Sequence, residues 1–117
     1  MKIRIKGNSL RYRLTRSEVQ RFAQDGYLED TTDFGAARLT YSLQKIIGGN
    51  LFAAFENNNI TLYMPGWMLN EWATTERVGF ENKEDDLYLL IEKDFMCLDN
   101  VAEDQSDNYP NPLAINN

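Results

Sequence analysis

An α+β domain built on a mostly antiparallel sheet or barrel of about eight strands, with two short helices, is what this sequence predicts. Three observations carry the prediction. Lys2 to Leu14 alternates apolar and charged side chains about a Gly7-Asn8-Ser9 turn, a helix-capping pattern follows directly at Thr15, and the same order of elements returns fifty residues later. Alternation at period two marks half-buried strands, and a switch to helical spacing marks the helix between them.

In the opening hairpin, Ile3 and Ile5 share one face with Leu10, Tyr12 and Leu14, while Lys2, Arg4, Lys6, Arg11 and Arg13 share the other. Thr15 with Glu18 three residues on is a capping box. Leu14 and Val19 fit a hydrophobic staple around it; Val19, Phe22 and Ala23 form the apolar helix face, and Gly26 stops the helix. Residues 27–32 and 37–47 read as strands around the Asp33-Phe34-Gly35 turn, and Gly48-Gly49-Asn50 breaks the chain.

The second round reads as a strand over 51–55, an asparagine turn, and a strand over 60–64. Pro65 opens a short apolar helix bearing Trp67, Met68, Leu69 and Trp72. A strand over 77–80, a charged turn over 81–86 and the long apolar run from Leu87 to Leu98 complete it. At the fifty-residue offset Leu10 falls on Ile60, Leu14 on Met64, Val19 on Leu69, Phe22 on Trp72, Leu28 on Val78, Leu39 on Leu89 and Tyr41 on Ile91. The expectation is one domain over residues 1–98, made of two ββαββ pseudo-repeats (1–47 and 51–98), with an acidic tail over 99–117 that is docked or disordered.

The last strand carries a chemical question. Alternation sends Ile91, Lys93, Phe95 and Cys97 one way and Leu90, Glu92, Asp94, Met96 and Leu98 the other. Charges inside such a run either leave the core at the rim or are buried and paired, because an isolated buried charge costs several kcal/mol.

Composition narrows the function classes. The chain has 117 residues, 43% of them hydrophobic, which is enough for a real core. With one cysteine it forms no internal disulfide, and with no histidine it lacks the commonest general base and transition-metal ligand. No apolar run reaches membrane-spanning length and no signal peptide is recognisable, so the cytoplasm is the expected compartment. The net charge of −6 is uneven: residues 1–21 hold seven basic residues and one acid, and residues 22–117 five basic and seventeen acidic. The whole molecule therefore repels nucleic acid at long range, while its first hairpin attracts anions.

The opening Lys2-Ile3-Arg4-Ile5-Lys6-Gly7-Asn8-Ser9-Leu10-Arg11, the strand Leu90-Ile91-Glu92-Lys93-Asp94-Phe95 with Cys97-Leu98, and the tail Asp107-Asn108-Tyr109-Pro110-Asn111-Pro112 resemble a family of short uncharacterised bacterial proteins. The resemblance spans nearly the whole chain. It implies a bacterial, cytoplasmic protein and carries no activity or catalytic residue.

Three groups are candidates for function. The basic face Lys2, Arg4, Lys6, Arg11 and Arg13 suits a phosphate-type anion, or else pairs with the protein's own carboxylates. Glu92 and Asp94 offer an acidic cluster for acid–base chemistry or a divalent ion, although no nucleophile, phosphate loop or spaced metal motif accompanies them. Trp67, Met68 and Trp72 form either core or an interaction patch. The leading expectation is a non-enzymatic binding or interaction module without a cofactor or bound metal, whose partner is a protein, a second copy of itself or a small anion. The alternative is a polyanion-binding protein or enzyme that joins the basic face to Glu92, Asp94 and a divalent ion.

Overall fold

A computed structural model describes residues 1–95 and 105–111. Eight strands and two helices follow in the order β1 (Lys2–Lys6), β2 (Ser9–Leu14), α1 (Arg16–Asp25), β3 (Tyr27–Asp33), β4 (Arg38–Ile46), β5 (Phe52–Glu56), β6 (Asn59–Pro65), α2 (Gly66–Thr74), β7 (Gly79–Glu84) and β8 (Leu87–Lys93). They form two separate four-stranded sheets, the first in spatial order β1-β2-β8-β7 and the second in order β3-β4-β6-β5.

Local chemistry makes the pieces as read. Glu18 Oε1 accepts the Thr15 backbone N–H at 2.9 Å and the Thr15 hydroxyl at 3.0 Å, which closes the start of α1. Gly26, at φ 72°, donates its N–H to the Phe22 carbonyl at 2.8 Å and ends it. Asn57 and Asn58 both take positive φ in the tight β5–β6 turn, the geometry that matches the right-handed twist of the strands it joins.

The pairing between halves departs from the antiparallel expectation. Each hairpin is antiparallel, but the central pairs, β2 with β8 and β4 with β6, are parallel. Each sheet thus joins one hairpin that precedes a helix to one that follows a helix, and the sheets do not close into a barrel. Exchanging β1, β2, α1, β3 and β4 for β5, β6, α2, β7 and β8 carries the order of one sheet onto the other. The strand registers locate this correspondence more closely than a constant offset of fifty. Tyr27 pairs with Gln44 as Gly79 pairs with Glu92, so Leu28 corresponds to Phe80, Tyr41 to Leu89 and Leu43 to Ile91. A longer link before β7 and a shorter turn after it account for the shift.

Two other boundaries move. The expected charged turn over 81–86 is mostly strand, because in edge strand β7 the charges of Glu81 and Lys83 point outward while Phe80 is buried and Asn82 donates to the Leu51 carbonyl at 2.8 Å. Strand β8 ends at Lys93, while Met96, Cys97 and Leu98 lie outside the described residues.

The inner faces of both sheets make one core, closed by the two helices. Leu10, Tyr12, Leu14, Leu89 and Ile91 come from the first sheet, Leu28, Leu43, Leu62 and Met64 from the second, and Phe22, Leu69 and Trp72 from the helices. The Tyr12 hydroxyl, its ionisation pushed up by burial, donates to the Ile60 carbonyl at 2.9 Å and links the sheets across the core. All four hairpin turns lie at the end of the molecule opposite the helices, as the parallel registers of β2 with β8 and β4 with β6 require.

Residues 105–111 of the tail are docked. The Tyr109 N–H donates to the Asp94 carbonyl at 2.9 Å, the Arg16 N–H donates to the Asp107 carbonyl at 3.0 Å, and the Ser17 hydroxyl donates to Asp107 Oδ2 at 2.6 Å. The Ser17 hydroxyl, then that of Thr15, hold the Asp107 carboxyl below its ordinary range. A carboxyl with a depressed folded-state pKa contributes stability above its ordinary pKa of about 3.9, and that contribution is lost as pH falls through the folded value. Hydrogen-exchange protection at the Arg16 and Tyr109 amides is therefore expected to fall below about pH 4 before that of Leu89 in the core. Simultaneous loss at all three would show that the docked tail is not a separate acid-labile unit.

Candidate functional site

The outer face of the first sheet is a grid set by strand register. Lys2, Arg13, Glu92 and Gly79 lie in one row; Arg4, Arg11, Leu90 and Glu81 in the next; Lys6, Ser9, Tyr88 and Lys83 in the third. Neighbours in a row are about 5 Å apart and successive rows about 7 Å apart. Six cations therefore face solvent with two carboxylates among them. All five basic residues expected from the sequence are brought onto this one face, and strand pairing adds Lys83, Tyr88 and Leu90, which no local pattern linked to the first hairpin.

The ion pairs on this face are uneven. Glu92 accepts Arg13 Nε at 2.7 Å and lies 3.3 Å from Arg11 Nη1. Arg4 and Lys6 make no ion pair among the described residues. The Tyr88 hydroxyl donates to Glu81, a contact that holds this carboxylate beside β8 and, together with its charge, raises the phenol's pKa. A shallow groove of about 260 Å³ lies here, with Arg4, Lys6 and Arg11 on its walls and Tyr88 and Leu90 as apolar floor.

Glu92 and Asp94 are not a carboxylate pair. Glu92 serves the two arginines, and Asp94 is buried with its Oδ2 3.1 Å from Lys2 Nζ. That oxygen makes no directed hydrogen bond, so the approach is ionic. The Asp94 backbone joins β2 to the tail, donating its N–H to the Leu14 carbonyl and accepting that of Tyr109. Between them, Lys93 is buried, donates to the Thr75 carbonyl at 2.8 Å and lies 5.2 Å from the Tyr109 ring centroid. Its pKa is lowered by burial. Among the described residues no group of three or more carboxylate or thiol side chains is placed to hold a metal.

The second helix divides its tryptophans. Trp72 and Met68 are in the core, with the indole N–H of Trp72 donating to the Val78 carbonyl at 2.8 Å. Trp67 is 56% exposed and packs edge-on against Phe80 at 5.9 Å. The three therefore form no common surface patch. No helix among the described residues is long and apolar enough to cross a membrane.

A family model described as a family of unknown function (DUF7009) matches residues 1–113, and the chain belongs to that family. No curated protein and no solved structure matches the chain.

Proposed function

We propose that this member of a family of unknown function is a non-catalytic binding module that takes a small phosphate-type polyanion on the outer face of its first sheet. The observation that supports this reading is the register: Lys2 lies directly opposite Arg13, and Arg4 directly opposite Arg11. Like charges directly opposite one another destabilise an antiparallel pair. Glu92 offsets that repulsion at Arg11 and Arg13 and Asp94 offsets it at Lys2, while an anion seated over Arg4 and Lys6 beside Arg11 would offset the rest. The overall charge of −6 favours a compact anion over an extended nucleic acid.

Titration of the protein with tripolyphosphate, followed by calorimetry and thermal shift, tests this. Arg4→Gln with Lys6→Gln is the informative variant, since neither residue anchors the fold through an ion pair among the described residues. Removing Arg11 and Arg13 would also strand Glu92 on a partly buried site. Two charge-assisted hydrogen bonds are at stake, each about 1.5 kcal/mol or more, so affinity should fall at least about tenfold per contact. Binding should also weaken as salt rises. Equal affinity in the double variant would refute the assignment. The enzymatic alternative requires Glu92 and Asp94 to share a divalent ion, whereas each is engaged with its own cation.

A further inference from the structure

Each sheet has two edge strands, and three of the four are guarded by charge. Strand β1 carries Lys2, Arg4 and Lys6; β3 carries Glu29, Asp30 and Asp33; β7 carries Glu81, Lys83 and Glu84. Strand β5, Phe52-Ala53-Ala54-Phe55-Glu56, has no charge before its last residue. Charged side chains on an edge prevent its unpaired N–H and C=O groups from pairing with another chain, and an uncharged, flat, apolar edge is a template for such pairing. In the element correspondence β5 takes the place of β1, so the same position is guarded in one sheet and open in the other.

Beside β5, at the turn end of the molecule, lies an apolar cleft of about 430 Å³ between the sheets, lined by Ile5, Leu10, Leu39, Ile60 and Leu87. Both Ala53 and Ala54, whose side chains point to opposite faces, border it. The cleft therefore reaches round the free edge of β5. Phe55, on the inner face, is 67% exposed at its mouth.

We infer that β5 is the interface of a homodimer, pairing antiparallel with β5 of a second copy about a twofold axis through Ala54. The composition of β5 selects this occupant. With Ala54 facing itself, Ala53 lies opposite the second copy's Phe55, and Phe52 opposite its Glu56. Each large exposed ring then falls across a methyl group, on the inner face that borders the cleft. No two like charges meet, and the two second sheets become one continuous eight-stranded sheet. Pairing β1 edges in the same way would bring basic side chains onto one another.

Sedimentation equilibrium of the full chain from about 1 μM to 1 mM tests the inference over the range of weak self-association. The expected result is a rise toward twice the 13.6 kDa mass of the chain. Ala54→Lys, which would place two ammonium groups at the axis, should hold the mass at that of the monomer, while the thermal melt at about 1 μM, below the onset of self-association, is unchanged. Should that variant fail to fold, Ala54→Cys in a Cys97→Ser background decides the matter. Facing Cα atoms in an antiparallel pair are about 4.5–5.5 Å apart, within disulfide reach, so air oxidation should yield a covalent dimer. A wild-type chain that stays monomeric throughout, a dimer that survives Ala54→Lys, or a cysteine variant that forms no cross-link would each overturn the assignment.

Discussion

Replacing Trp72 with alanine is expected to lower the unfolding free energy by about 3–5 kcal/mol, the range for deleting a large buried aromatic side chain. Trp72 has no exposed surface, fills the space between α2 and the sheets, and satisfies the Val78 carbonyl through its indole N–H. The substitution removes the apolar contacts and one hydrogen bond to the Val78 carbonyl, which keeps the Lys93 N–H at 2.9 Å as its other donor. Trp67→Ala should cost less than half as much, since that ring is more than half exposed and loses mainly its edge contact with Phe80. Urea melts of the two variants beside the wild type make the comparison. Equal losses would contradict the division of labour within α2.

Gly79→Ala is the second large effect, expected at about 3 kcal/mol, the upper part of the range for overpacking. Gly79 opens β7 opposite Glu92, and a Cβ there would press on the Ile91 carbonyl oxygen and lie 2.9 Å from the Glu92 Cα. The obstructing atoms are backbone, so no rotamer change relieves the contact, and β7 must separate from β8. The requirement for glycine here comes from the close approach of two strands. A Gly79→Ala protein within about 0.5 kcal/mol of the wild type would show that β7 can shift without loss.

What was legible in the sequence follows from how local each signal is. The alternation of the first hairpin and the Thr15–Glu18 box involve residues within one turn or one strand pair, and both predict their elements correctly. The basic face was legible for the same reason, since alternation alone places Lys2, Arg4, Lys6, Arg11 and Arg13 together. That Tyr88, Leu90 and Lys83 complete it depends on the pairing of β2 with β8, whose partners Leu14 and Lys93 lie far apart in the sequence. Local pattern contains no record of such a pairing or of its parallel sense. The sequence makes β7 look short because outward charges on an edge strand resemble a solvated turn. The apolar character of β5 is plain in its sequence, but apolar residues do not reveal whether a strand is central or at an edge.

The topology also has a consequence for the order in which the protein can be completed during its synthesis. The second sheet is drawn wholly from the middle of the chain, β3 to β6, whereas the first joins the opening hairpin to the last one. A nascent chain that has emerged only as far as Pro65 already holds every strand of the second sheet, but only β1 and β2 of the first. Until β8 leaves the ribosome, the edge of β2 that it will pair with stays open, and Arg11 and Arg13 on β2 are the charges that keep this waiting edge from pairing elsewhere.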